Sequence, residues 1–361
     1  MANDPSLVAN LVKVISRGPS TALITNLDIE MLAYDVVSVS FPLSISDPPN
    51  CYICSPSTAY IDYAQEETRH FTANPVLHKT LTGIIKSCRP LMRATGLDHQ
   101  VQPNNWLFST NPVPSIDHSI AEALRDDLIQ RHPNRAIVIR SLNPVADQHS
   151  MTSLQGAGFQ MLPARQIYLV DPAQAKPPSA DMKRDAKMLA NTNYAQVDAH
   201  RFSAEDWTRA AALYHMLYID KYTVLNPQYT PGFLAQAHQI RLLQIVGLRG
   251  PDDTLDGVLG MFTNGRTMTV PLLGYDTGKP QKTGLYRMLN AIAQSQAAHH
   301  GFFYNLSAGA AAFKRHRNAV PAIEYTAVYV RHLRVSARIS TRIVQSVLTR
   351  LGVPIMQRYG L

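Results

Sequence analysis

Val270-Pro-Leu-Leu-Gly-Tyr-Asp-Thr-Gly-Lys-Pro-Gln-Lys-Thr-Gly-Leu-Tyr-Arg287 decides the reading of this chain. An apolar strand ends, a polar loop follows, and a helix opens near Thr283 or Gly284. A helix start presents unpaired N–H groups and the positive end of its dipole, which together suit an anion. Gly284 lets a phosphate approach the backbone closely, and Lys279, Lys282 and Arg287 add positive charge. The spacing is neither a Walker A loop nor a G-x-G-x-x-G dinucleotide loop. An ordinary strand-to-helix turn with glycine near its cap fits the same letters.

Upstream, Asp256 to Phe262 and Thr267 to Leu273 read as strands joined through Asn264-Gly265, a strong hairpin signal. Ser203-Ala-Glu-Asp206 reads as a helix cap, with a helix to about Tyr218. A second helix opens at Thr230-Pro231, a strand precedes them at 194–200, and another runs from Arg241 to Leu248. Downstream come a helix from Leu285 to Ala298, a strand from Gly301 to Leu306, a small-residue turn, and a strand from Ile323 to Val330. The expected class is α/β, a mixed sheet with helices on both faces.

The Pro- and Ala-rich run 171–180 reads as a linker. The expected organisation is a first domain over 1–170, the linker, a second domain over 181–330, and a tail over 331–361. In the first half, helices are expected at 5–16, 59–70, 74–92 and 115–131, and strands at 105–109, 135–140 and 165–170. Its closing strand–helix–strand section looks like the closing section of the second half, which suggests a degenerate duplication.

The order of elements, the hairpin and the Gln281–Tyr286 loop together resemble the GCN5-related N-acetyltransferase (GNAT) superfamily. Asn305-Leu-Ser-Ala-Gly309, Phe313-Lys-Arg315 and Ile323-Glu-Tyr-Thr-Ala327 resemble its BioF2-like and FemAB-like tandem branch. The resemblance implies two GNAT-like domains, the first degenerate, and an acyl group passed directly from acyl-CoA to an amine or hydroxyl of a small-molecule acceptor. Its cofactor loop falls on Gln281, Lys282, Thr283, Gly284, Leu285 and Tyr286, the last standing where Gly or Ala is usual. Acceptor contacts fall on Tyr222, Asn305 and Ser307; Lys314 and Arg315 can bind an anionic group such as a phosphate or carboxylate, or form a solvated basic turn.

Direct acyl transfer needs a proton acceptor beside the nucleophile. Glu324 on the last strand, with Tyr275 and Asp276 closing the strand before the loop, are the candidates. A strand pair and a turn-capping Asp account for them equally well. Tyr63 and Glu67 share a helix face and can line a cleft. FemAB-type relatives use aminoacyl-tRNA, so tRNA is the alternative donor. A non-catalytic binding protein on the same fold is the third reading.

The 361 residues carry a net charge of +8. Arg331, Arg334, Arg338, Arg342, Arg350 and Arg358 supply six of those charges, in a tail with no Lys, Asp or Glu. Residues 336–351 read as a helix with Ile339, Ile343, Val344, Val347, Leu348 and Leu351 on one stripe and Arg338 and Arg342 opposite. Docking of that stripe on the protein, contact with a membrane surface, and contact with RNA are the three readings. The N-terminus lacks a signal-peptide pattern, so the expected place is the cytoplasm, peripheral to the inner membrane face if the tail binds lipid. The three cysteines do not make a disulfide framework. Cys51-x-x-Cys54, with His70 and His78 in chain reach, is a poor zinc set, so no metal is expected.

Overall fold

The computed structural model describes residues 3–71, 75–174 and 176–360; of Arg69, His70, Phe71, Leu77 and Leu81 it describes the backbone alone. His70, weighed above beside His78 as a ligand, therefore lies outside the described side chains.

The strands are β1 (Ile29–Val36), β2 (Val39–Ser46), β3 (Gln100–Pro103), β4 (Ala136–Leu142), β5 (Gln160–Val170), β6 (Ala195–Asp198), β7 (Gln244–Arg249), β8 (Leu255–Asn264), β9 (Thr267–Tyr275), β10 (Phe303–Asn305) and β11 (Val320–Tyr329). The helices are α1 (Pro5–Ile15), α2 (Ala64–Phe71), α3 (Pro75–Ser87), α4 (Arg89–Ala94), α5 (His118–Arg131), α6 (Gln148–Gly156), α7 (Ala180–Ala190), α8 (Ala204–His215), α9 (Pro231–Gln239), α10 (Leu285–His300), α11 (Ala311–Arg315), α12 (Val335–Val347) and α13 (Val353–Tyr359).

All the strands join one mixed sheet in the order β1-β2-β3-β4-β11-β5-β10-β9-β8-β7-β6. The duplication is visible in it. β1, β2, β3, α5, β4, α6 and β5 repeat as β7, β8, β9, α10, β10, α11 and β11. In each set an antiparallel meander is followed by one parallel neighbour, β4 beside β3 and β10 beside β9. The last strands are exchanged. β5 pairs antiparallel with β10, and β11 pairs antiparallel with β4. β5 and β11 then pair with each other and close the centre of the sheet.

The largest apolar cluster draws on both halves. Val8, Leu11, Trp106 and Phe108 pack with Leu213, Tyr214, Phe233 and Phe262. The Trp106 and Phe108 rings each lie 5.2 Å from Phe262. The Tyr229 hydroxyl donates to the Leu107 carbonyl at 3.0 Å. Cys51 and Cys54 are buried in this cluster. Burial pushes their thiols up to about 12 and about 11, so both are packing groups at neutral pH.

Within the quoted stretch, Gly274 is required by packing. A Cβ there would lie 2.5 Å from the backbone of Leu213 and Tyr214, where α8 crosses β9. The hairpin is present, but its two-residue turn is Gly265-Arg266, since Asn264 still pairs with Thr267. Gly265 has φ +58°, as the first central position of a type II′ turn demands. The strand expected at 105–109 is a loop that follows β3, and β1 and β2 form a hairpin that was not expected.

The tail departs most from expectation. Its helix docks through Ala337, Ser340, Thr341 and Val344, which are buried. Ile339, Ile343, Val347 and Leu351, placed by periodicity on the docking stripe, are exposed. Small residues let α12 sit close to its neighbours, and Gln345 ties it to β5 by donating to the Met161 carbonyl at 3.2 Å.

Candidate active site

The centre of the site is where the exchanged strands meet. Glu324 on β11 lies opposite Arg165 on β5. Arg165 Nε donates to Glu324 Oε1 at 2.8 Å and Nη2 reaches Oε2 at 3.3 Å. Glu324 is 2% exposed. Arg165 Nη2 also donates to the Ser109 carbonyl at 2.9 Å and to Thr110 Oγ1 at 2.8 Å. A buried ion pair survives when its remaining donors are satisfied in this way.

Two strand irregularities aim these groups. β5 carries an extra residue at Ala164, after Pro163, which has no N–H to give the ladder. β4 carries one opposite Tyr325 and Ala327, where Ser141 has φ +70°. Bulges of this kind bend a strand and redirect its side chains. Here they bring Ala164, Arg165 and Arg140 to one cavity with Glu324 and Thr326.

That cavity has a volume of about 100 Å³. Its far wall comes from the segment after β2: Tyr52, Tyr60, Tyr63 and Glu67. A π-helical turn over Thr58–Tyr63 leads into α2, a local widening that often marks functional positions. The Tyr52 and Tyr63 rings lie 4.9 Å apart. Burial pushes the Glu67 carboxyl up to about 7, against the opposing pull of the Arg165 charge. It therefore exchanges a proton near neutral pH.

Lys314 stands behind the wall that Ala308 contributes. Its ammonium donates to the Ser307 and Ala308 carbonyls at 3.1 and 2.7 Å. Burial, and after it the Arg165 charge, lower its pKa to about 7. The carbonyls face it because the Ser307–Ala310 turn is contorted. Ser307 and Ala310 adopt φ +61° and +49°, costly for residues with a Cβ. Asn305 holds the turn by accepting from the Ser307 N–H at 2.8 Å. Ser307 Oγ meets Thr110 Oγ1 at 3.3 Å, which links the turn to Arg165.

Of the residues read from the sequence, Glu324, Asn305, Ser307 and Lys314 thus gather at or beside the cavity, with Tyr63 and Glu67 opposite. Tyr275 and Tyr286 lie elsewhere, in an aromatic patch with Phe313, at ring distances of 5.9 and 4.8 Å. Tyr222 is 45% exposed and near Tyr218. Arg315 lies 5.7 Å from the Tyr168 ring. Asp276 accepts from Arg209 at 2.7 Å and from the Gly278 N–H at 2.8 Å, so it caps its loop. Arg165 and Arg140 were not singled out. Each is one arginine in an apolar strand, and only the sheet order brings it to the centre.

The anion loop is built differently from expectation. Gln281–Thr283 form a 3₁₀ turn, and Gly284, at φ +73°, precedes the first residue of α10. The close approach that Gly284 allows is made by the Met188 sulfur of α7, which occupies the space a side chain would need. Arg287 and Arg317 both pair with buried Asp185, at 2.5 and 2.6 Å. Lys279 pairs with Asp256 at 3.0 Å. The charge expected around a phosphate from Lys279 and Arg287 is therefore already partnered.

No family pattern and no curated protein matches the sequence. Among solved structures, FemX is similar with a TM-score of 0.47 at 9% identity, over 64% of this chain and 81% of that one. L-PGS from Bacillus licheniformis is similar with a TM-score of 0.46 at 13% identity, over 63% and 79%. A GCN5-related N-acetyltransferase from Kribbella flavida is similar with a TM-score of 0.34 at 15% identity, over 64% and 81%.

Proposed function

We propose that the chain is a transferase that passes an acyl group directly from an activated ester or thioester to an amine in the central cavity. The observation that carries this reading is the cavity's charge arrangement. A carboxyl that titrates near 7 faces a fixed cation, and a second cation stands close behind.

In this reading Glu67 takes the proton of the incoming ammonium. The free amine attacks the acyl carbonyl, and a C–N bond forms. Arg165 and Lys314 stabilise the negative charge that develops on the carbonyl oxygen. The C–O or C–S bond to the donor then breaks, the leaving group takes the proton back from Glu67, and the second proton of the attacking nitrogen is released to solvent. Glu324 holds Arg165 in place and is a positioning residue. That differs from its role as base in the sequence reading, because both its oxygens are engaged by Arg165.

For the donor, the packing of Met188 on Gly284 and the pairing of Arg287 and Lys279 favour an aminoacyl ester on tRNA over acyl-CoA. Bound acyl-CoA would need its pyrophosphate where α7 lies. Acyl-CoA remains the second reading, favoured by the left-handed glycine before α10.

The test supplies purified full-length chain with labelled acyl-CoAs and, separately, with charged tRNA, against a panel of amines. Turnover with charged tRNA, lowered at least 100-fold by Glu67→Gln without loss of melting temperature, is expected. Turnover with acyl-CoA that fails in Gly284→Glu would move the donor to the second reading. No turnover with either, or turnover indifferent to Glu67→Gln, would overturn the proposal.

A further inference from the structure

The exposed face of the tail helix carries two parallel rows. Val335, Ile339, Ile343, Val347, Leu351 and Ile355 follow one another at every fourth position and are 39–62% exposed, with Tyr359 next in line. Directly before five of these seven stand arginines: Arg334, Arg342, Arg350 and Arg358, which are exposed, and Arg338, which is half-buried. A step of four overshoots the helical turn by about 40°. The wider π turn over Leu348–Gly352 takes part of that back, and every member of the apolar row is exposed. The opposite side is already occupied by the protein, through Ala337, Ser340, Thr341 and Val344.

We infer that this face lies on the surface of an anionic lipid bilayer, with the apolar row in the acyl boundary and the arginine row among the headgroups. The pairing of the rows selects this occupant. An RNA backbone would use the arginines and leave six large apolar side chains in water. A second copy of the helix would cover the apolar row but bring two arginine rows together, and residues 331–361 hold no carboxylate side chain to separate them. A bilayer surface with negative headgroups satisfies both rows. The helix lies flat on it; among the described residues no helix is long and apolar enough to cross a membrane. The attachment leads toward the site. A Cβ on Gly360, at the helix end, would lie 3.1 Å from Ala311 and from the Tyr168 hydroxyl, and Lys314 stands 5.6 Å from the Tyr168 ring.

The experiment is pelleting of the full chain with vesicles of phosphatidylcholine alone and with one lipid in three replaced by phosphatidylglycerol. Each arginine at an anionic surface is worth about fivefold in partition, that is about 1 kcal/mol. Binding to the anionic vesicles at least tenfold above neutral ones, weakening as salt rises, is expected. Ile343→Asp with Leu351→Asp should abolish it. Arg342→Gln with Arg350→Gln should lower it about 25-fold. All four positions are exposed, so the melting temperature should hold. A tryptophan introduced by Ile339→Trp should shift its emission to the blue on anionic vesicles only. The inference is overturned by equal or no binding to the two vesicle types, or by binding that survives both double variants. A stable dimer that Ile343→Asp with Leu351→Asp dissociates, or RNA binding without vesicle binding, would likewise overturn it. None of these outcomes depends on the donor or on turnover.

Discussion

Glu67 and Lys314 are both displaced toward neutrality, from opposite directions. Glu67 is raised from about 4.5 to about 7, so the stability it contributes is present below pH 4.5 and is lost as pH rises to 7. Asp147, which burial also pushes up to about 7, adds to the same limb. Lys314 is lowered from 10.5 to about 7, so its contribution is present above pH 10.5 and is lost as pH falls to 7. Together they place a shallow minimum of stability near neutral pH. Melting temperatures across pH 4–10 should show it; Glu67→Gln should flatten the acid side, and Lys314→Met the alkaline side. The site's chemistry is thus held at a cost to the fold. The Arg165–Glu324 pair behaves otherwise. Arg165→Met leaves a carboxylate that is 2% exposed without its partner and should cost about 3–5 kcal/mol. The double change Arg165→Met, Glu324→Leu should recover most of that in denaturant titrations while leaving the chain inactive.

At the scale of elements, the two glycines of the opening stretch make different predictions. Gly274→Ala drives a Cβ into the α8 backbone, which cannot yield, and should lower stability by about 2–3 kcal/mol. Gly284→Ala meets the flexible end of Met188 and a left-handed φ, so about 1–2 kcal/mol is expected. Met188→Ala should restore the steric part in the second case, a comparison that thermal denaturation can make. The two hairpins show what was legible and why. β8 and β9 announce themselves because glycine stands where the turn needs a positive φ. β1 and β2 turn through Val37-Ser38, with Val37 at φ +54°, a conformation no one would read from a β-branched residue. Pro42 inside β2 hides it further. In the tail, periodicity finds the helix and its apolar stripe, but of that stripe Val344 docks, beside Ala337, Ser340 and Thr341, while Ile339, Ile343, Val347 and Leu351 stay exposed.

For the molecule as a whole, the second half is legible almost element by element after α7, since its strands carry apolar runs and α8 and α9 open on the Ser203 and Thr230 caps. The centre of the site is not, because it depends on which strands are neighbours. Nothing local in Arg165 or Glu324 tells that β5 and β11 pair across more than 150 residues of chain. Glu67 comes into view through its helical spacing from Tyr63, but its environment follows only from the sheet order. A chain cut within 171–180 should therefore yield two fragments that fail to fold separately and regain the full circular-dichroism spectrum when mixed. Independent, cooperative melting of either fragment would contradict the exchange of strands.

The same exchange imposes a waiting time on synthesis. When β4 leaves the ribosome its outer edge has no neighbour until β11 is made, 178 residues later by sequence number, from Leu142 to Val320. At about 5–20 residues per second this is on the order of ten to thirty seconds. Throughout it an apolar strand shows unpaired backbone groups to every other nascent chain. Yield in the cell should thus respond to translation speed and to holding chaperones more than to any single substitution on the finished surface.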